Sequence, residues 1–520
     1  MREKSKRETT LSAYVVMACT LGSRLLGFVR TALVSAFFGA SGVADVLNAV
    51  FSIPNNLRKL MAEGALSSAF IPQLSRNIVN DKTGQKARDL SRNIIGFQLI
   101  ILIPLTFISI LFAPAVIRIF TSFDSIEKIQ LSEKLFVWLI NYALLISISA
   151  VLMAVLNSHS KFLIPALTPI LFSVSVITSL IIFHEKFGIF AMAIGVLVGG
   201  VAQLIFQYPL YRKLKYSLIP SFHFKDEDFQ RVLKQWFPVL ATSSIFAINH
   251  QVAILIASSI SDGSVSALTN AIVFWQLPSG IFSASITTVL FPKMSRQAGI
   301  KDYQGMLETV EYGIKALSIL LIPSAFLMGV LGKEIISFAF QRGLFVAEHT
   351  YAAATVLIGY CAGMFFVGVY QFSQRFYYSL RDYKTPFIAA FVTVVLDIIL
   401  SLLLKDTSMK VAGLAWANTI SFTIGMIILL SGISRKTGGK IQWKSIISTF
   451  VKSIFSIIPA GLFIYTMGSI TGRDWWMNGS SLKTFVLLLI NGGGSVSLIL
   501  LMFNLLKVEF ISIIKRKGNL

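Results

Sequence analysis

The chain has 520 residues, of which 55% are hydrophobic and 13% charged. An ordinary soluble domain carries about 25% charged residues, so too little polar surface exists here to cover a water-soluble protein of this size. Lys and Arg number 46 against 24 Asp and Glu, a net charge of +22. In so apolar a chain this excess reads as basic cytoplasmic loops of a multi-pass membrane protein, and no nucleic-acid partner is expected. Cys19 and Cys361 lie far apart in apolar stretches and read as small buried hydrophobes.

A spanning helix needs about 20 mainly apolar residues, and 14 such stretches follow one another along the chain. The first, 11–38, follows a basic N-terminus but is too long for the apolar core of a cleavable signal, so it is expected to be a permanent span. Gly22 and Gly27 permit a local break in it. The second, 43–62, is the least regular, because Pro54 is expected to break it. The next four are 92–120, 134–156, 163–183 and 187–211. A basic loop, 212–235, then separates two halves. Within it Phe229, Val232, Leu233, Trp236 and Phe237 recur at helical spacing, with Asp226 as a candidate cap. This pattern predicts an interfacial amphipathic helix. Spans 236–260, 266–292, 306–331, 350–377, 386–404, 411–432, 446–468 and 483–506 complete the set. Gly492-Gly493-Gly494 in the last predicts close helix packing. Basic residues concentrate in alternate loops, placing both termini on the cytoplasmic side.

The halves repeat. SSAFIPQLSR at 67–76 returns as TTVLFPKMSR at 287–296, and Ile53-Pro54-Asn55 returns as Leu277-Pro278-Ser279. Six spans restore the same side of the membrane, so the repeat is parallel. The expected architecture is all-α: 14 transmembrane helices in two six-helix lobes related by a parallel pseudo-two-fold axis, plus two extra C-terminal helices. The corresponding regions are 1–222, 223–440 and 441–520. Such lobes suit alternating access, with a substrate site near the midplane.

Charges inside the spans carry the chemistry. Arg24 is near the centre of the first helix, where insertion costs about 2.5–3.5 kcal/mol. A chain that keeps it must offer it a polar cavity and an anion. Arg30, six positions on, lies about 120° away around an ideal helix. Arg58 and Lys59 follow Pro54-Asn55-Asn56. Against these four cations stand Asp45 and Glu63, and the alternative is internal pairing of Arg58 with Glu63 and Arg30 with Asp45. The surplus of cations favours an anionic ligand, and arginine's fork of donors matches phosphate oxygens. In the second half Lys293, Lys315 and Arg375 are the intramembrane cations. Asp397 is mid-span, with Thr393 one turn before it and Asn418, Thr419, Asn249 and His250 as further polar groups. It is a candidate sodium or proton site, or a carboxylate hydrogen-bonded across helices. No catalytic motif or phosphate loop occurs, so no enzyme and no ATP drive are expected.

SRLLGFVR (23–30), FFGASGVAD (37–45) and IPNNLRKLMAEGALSSAFIPQLSR (53–76) together resemble the N-terminal signature of the MurJ/MviN family, and LPSG (277–280) and YYSLRDYKTP (377–386) resemble its later motifs. The resemblance covers essentially the whole chain. It implies a flippase of lipid II, the undecaprenyl-pyrophosphate-linked disaccharide-pentapeptide of peptidoglycan synthesis. It implies that Arg24, Arg30 and Arg58 contact the pyrophosphate, with Asp45 and Glu63 at family acidic positions and the last two helices forming a groove for the prenyl tail. It also implies dependence on membrane potential and, through Asp397 and Thr393, a sodium site. No cofactor is required, and sodium ion, proton and potential alone all stay open as the coupling. Membrane lipids and cell-wall synthesis proteins are the expected partners. Two positions depart from the family pattern: Thr31 stands where Asp is usual, and the stretch Asn270–Gln276 lacks the usual Arg, for which Lys293, Lys315 or Arg375 is the expected substitute. Another lipid-linked oligosaccharide or a drug is the alternative cargo within the superfamily. A membrane glycosyltransferase would need an exposed carboxylate on a large outer loop, and a scaffold would not need Arg24.

Overall fold

The structure, a computed structural model, describes residues 2–61, 65–439, 441–479 and 481–508. Every regular element among them is helical. The packing divides into two compact units, residues 1–262 and 263–520. The first holds α1 (Arg2–Phe38), α2 (Gly42–Met61), α3 (Ala65–Asn80), α4 (Gln85–Leu111), α5 (Ala113–Phe120), α6 (Ile126–Leu139), α7 (Asn141–Ser158), α8 (Leu163–Phe187), α9 (Phe190–Lys213) and α10 (Glu227–Ser258). The second holds α11 (Ser264–Pro278), a π-helical turn (Ser279–Ser283), α12 (Ala284–Gly299), α13 (Tyr303–Val330), α14 (Gly332–Phe340), α15 (Ala347–Ser379), α16 (Lys384–Leu404) and α17 (Val411–Thr437). It ends with α18 (Trp443–Thr471), a 3₁₀ turn (Trp475–Asn478) and α19 (Leu482–Leu505).

Twelve helical stretches among the described residues are long and apolar enough to cross a membrane, and each falls on an expected span. The other two expected spans are α2, which carries Asp45, Arg58 and Lys59, and α10, whose apolar part is the shorter Ser244–Ser258. The repeat is visible in the order of elements. A long helix followed by a short one occurs as α4–α5 and again as α13–α14, and α8–α9 return as α16–α17. By this order α10 is the first helix of the second repeat. It nevertheless packs on α2 and α3, so the packing divides at 262/263, whereas the sequence repeat was expected to divide at 222/223.

Three local expectations change. First, α1 runs unbroken through Gly22 and Gly27. Second, Pro54 does not end α2, which continues to Met61. Proline there forfeits one helical hydrogen bond, but its flanks are anchored: Ser52 Oγ and Asn56 Nδ2 both donate to Gln251 Oε1 of α10, at 2.9 and 3.0 Å. Third, the amphipathic stretch is not an interfacial helix. It is the first part of α10, capped by Asp226, which accepts from Phe229 N at 2.9 Å. Phe229, Val232 and Trp236 are buried in the first unit's core with Phe70, Leu74, Val155 and Tyr211. Among its apolar residues Phe237 stays exposed. A helical apolar stripe says only that one face is covered; here protein covers it.

Two of the sequence motifs hold helices together. Gln73 Nε2 and Asn77 Nδ2 of α3 donate to Asp228 of α10, at 2.7 and 2.9 Å. In the 377–386 motif, Asp382 accepts from Thr385 N at 3.0 Å, capping α16, and pairs with Lys436 Nζ of α17 at 2.8 Å. Partial burial pushes the Asp382 carboxyl up, but Lys436 and Thr385 outweigh it and hold it at about 2. A carboxylate depressed below its unfolded value of about 4 stabilises the fold above that pH and stops doing so as pH falls through 2. The melting temperature of Asp382→Asn should therefore lie below wild type by a constant margin from pH 7 to about 4, and the margin should close near pH 2.

Candidate binding site

The first unit brings Arg30 and Arg58 together. Arg30, on α1, sits in an aromatic collar: its guanidinium carbon is 5.6 Å from the ring centre of Phe172 on α8 and 5.9 Å from that of Phe51 on α2. Phe172 in turn packs on Tyr142 of α7, ring centres 5.2 Å apart. Tyr142 and Arg58 both act on Arg30 electrostatically. Arg58 Nε donates to Asn55 Oδ1 at 3.0 Å, one turn back on α2. Four helices thus converge on two cations. Among the described residues no carboxylate forms an ion pair with Arg24 or Arg30, so the expected alternative of Arg30 paired with Asp45 is not what the fold adopts. Asp45 is buried in the first turn of α2. Rings fix the guanidinium plane and supply cation–π attraction but leave the charge unmatched. A multi-oxygen anion is what Arg30 lacks.

Arg24 is exposed on α1. Because the helix is unbroken, Arg24 points about 120° away from Arg30, and the structure does not gather all three arginines on one face. Thr31, in place of the usual acid, donates to Gly27 O at 3.1 Å and is absorbed by its own helix. The side chain of Lys59 and all of Glu63 lie outside the described residues. The collar itself was not legible beforehand, because Phe51, Tyr142 and Phe172 are ordinary apolar residues until the fold places them round Arg30.

In the second unit the three cations differ. Arg375 on α15 lies over Phe291, 5.9 Å from its ring centre, and over Tyr378, at 5.7 Å. Lys293 is exposed and Lys315 half-buried. The Asn270–Gln276 stretch contributes Trp275, which packs on Tyr360 with ring centres 5.8 Å apart. The Leu277–Gly280 motif forms the junction of α11 with the π turn; such turns concentrate at functional sites.

Asp397 of α16 is buried and accepts from Asn418 Nδ2 of α17 at 3.0 Å. Thr393 donates to Ala389 O at 2.8 Å, its own helix turn, and Thr419 donates to Gly359 O at 2.7 Å. Of the polar groups expected around Asp397, Asn418 makes a direct hydrogen bond and Thr419 serves packing. Among the described residues no cluster of three or more His, Cys, Asp or Glu side chains is placed to hold a metal.

Known proteins identify the family. The family model described as lipid II flippase MurJ matches residues 34–487. A probable lipid II flippase MurJ of Borreliella burgdorferi is 34% identical over 499 residues, covering 96% of this chain and 97% of its own. The Vibrio cholerae protein of the same description is 30% identical, covering 81% and 82%. A solved lipid II flippase MurJ in an inward closed conformation superposes with a TM-score of 0.79 at 26% identity, over 96% of this chain and all of that one. An inward-facing multidrug resistance MATE family transporter shares the fold alone, with a TM-score of 0.68 at 14% identity over 82% and 98%. The chain belongs to the MurJ family of lipid II flippases.

Proposed function

We propose that the protein flips lipid II from the inner to the outer leaflet of the bacterial cytoplasmic membrane by alternating access, with both termini cytoplasmic. The observation that carries this reading is Arg30, collared by Phe51 and Phe172, under the field of the positive Arg58 and without an ion-paired carboxylate among the described residues, in a chain of this family. A pyrophosphate supplies the missing charge and accepts from both guanidinium forks. Arg24 meets the same head group from another side, and the prenyl tail stays with α18 and α19 or in lipid. Moving net charge through the field couples the cycle to voltage, at about 2.3 kcal/mol per charge per 100 mV. Cells depleted of their own flippase and supplied with this chain should again expose lipid II on the outer face. Lipid II that remains accessible only from inside would refute the reading.

For the coupling ion we propose sodium at Asp397, supported by the buried carboxylate and its Asn418 partner. Sodium should raise the melting temperature of the purified protein, and Asp397→Asn should remove that response. A sodium response that survives the substitution ends this assignment.

A further inference from the structure

A cavity of about 380 Å³ opens in the second unit between α13, α14, α18 and α19. Its chemistry is divided. Glu334, in the first turn of α14, lines it with a carboxylate whose Oε2 is buried and has no hydrogen-bond partner. The neighbouring cation lowers its charge cost from a distance but forms no ion pair with it: Lys333 Nζ lies over the rings of Tyr351 and Trp476, 4.9 and 5.7 Å from their centres. Burial pushes the Glu334 carboxyl up. At the mouth Arg473 stacks on Tyr465, 4.8 Å from the ring centre, and among the described residues it has no carboxylate partner. Asn491 adds an amide from α19; it donates to Leu487 O at 2.8 Å, which leaves its carbonyl oxygen as an acceptor.

The position is as telling as the groups. α13 ends at Val330, α18 at Thr471, and α19 begins at Leu482, so Glu334 and Arg473 lie at the level where spans end, beside Trp475 and Trp476. Tryptophans mark the head-group level of a bilayer. Away from that level the walls become apolar, with Phe326, Ile464 and Gly461. Gly461 keeps the wall thin: an added Cβ would stand 3.2 Å from the Phe326 ring.

We propose that this cavity binds the head group of a bilayer phospholipid bearing a primary ammonium and a phosphate, the ammonium donating to Glu334 and the phosphate facing Arg473. A buried acceptor without a donor needs an N–H. A primary ammonium supplies three, and Tyr465 and Trp475 suit a cation. The acyl chains follow the apolar wall of Phe326 and Ile464. This ligand is a resident lipid and not the transported substrate, so the proposal stands apart from the flippase reading.

The test uses the full-length protein in detergent with equimolar dioleoyl phosphatidylethanolamine and dioleoyl phosphatidylglycerol, scored by native mass spectrometry. Phosphatidylethanolamine should be retained in preference. Glu334→Gln should cut that retention about tenfold, the loss of one charge-assisted hydrogen bond, while leaving phosphatidylglycerol retention as it was. Arg473→Gln, on an exposed turn, should weaken retention without touching the fold, so the test survives a Glu334 variant that folds poorly. Equal retention of the two lipids, retention of phosphatidylethanolamine unchanged in both variants, or its displacement by equimolar undecaprenyl phosphate would overturn the assignment.

Discussion

Arg30→Ala is expected to abolish complementation of a flippase-depleted strain while leaving the melting temperature of the purified protein unchanged or higher. The two halves of that expectation have one cause. Arg30 is held by Phe51, Phe172 and the field of Tyr142, with Arg58 as a second positive charge nearby. A half-buried cation without an ion-paired carboxylate is a cost to the fold, and like charge adds to it. Removing it relieves repulsion on Arg58 and forfeits the cation–π contacts, about 0.5–2 kcal/mol, and the attraction of Tyr142. Function suffers because hydrogen bonds to a charged group contribute about 1.5–3 kcal/mol each, so losing even one or two weakens pyrophosphate binding by about one to four orders of magnitude. Arg30→Lys keeps the charge but not the planar fork and should fall between. The measurements are growth and outer-leaflet lipid II at matched expression, beside thermal unfolding. Normal flipping by Arg30→Ala would remove Arg30 from the site. Loss of flipping together with a much lower melting temperature would make it a structural residue.

Helices declared themselves in the sequence because lipid leaves the backbone few options: every buried N–H and C=O must be satisfied within the segment, so an apolar run of sufficient length is a helix. The twofold order of elements was legible from ten residues repeated at 67 and 287. The exceptions share a physical origin, since each depends on what covers a side chain. Phe229, Val232 and Trp236 are buried under protein and not lipid because α10 packs on α3 and closes over Tyr211 and Leu74. Pro54 stays helical because Gln251, nearly 200 positions away in sequence, accepts from Ser52 and Asn56. At the candidate site, sequence identified the cations, because a charge in an apolar run is conspicuous. It did not identify which of them meet. Arg24 and Arg30 share a helix and point apart, whereas Arg58, from a different helix, acts on Arg30 where aromatic rings collar it.

The helix-packing glycines carry the second large expectation. Gly359 and Gly363 stand one turn apart on α15, the spacing that lets two membrane helices approach closely, and they face α17. A Cβ added at Gly359 would sit 2.8 Å from Ala415 Cβ, and one at Gly363 would sit 3.0 Å from Thr419 Cα. Backbone cannot give way as a flexible side chain can, so α15 and α17 would have to separate. Overpacking of this kind costs about 1–3 kcal/mol per site. Parting the helices also strains the bond from Thr419 Oγ1 to Gly359 O. Gly359→Ala with Gly363→Ala should therefore lower the melting temperature clearly. Gly492→Ala serves as the contrast: the three-glycine run was expected to pack closely, but only Gly494 does, against Phe463, while a Cβ on Gly492 meets nothing within 4 Å. Alanine there should be neutral or stabilising, by up to about 1 kcal/mol from helix propensity. Asn418 precedes Thr419 on the displaced helix and donates to Asp397, so the double variant should also blunt any sodium-dependent stabilisation, which Gly492→Ala should leave intact. A double variant that melts with wild type would show that the close approach contributes little to holding α15 on α17.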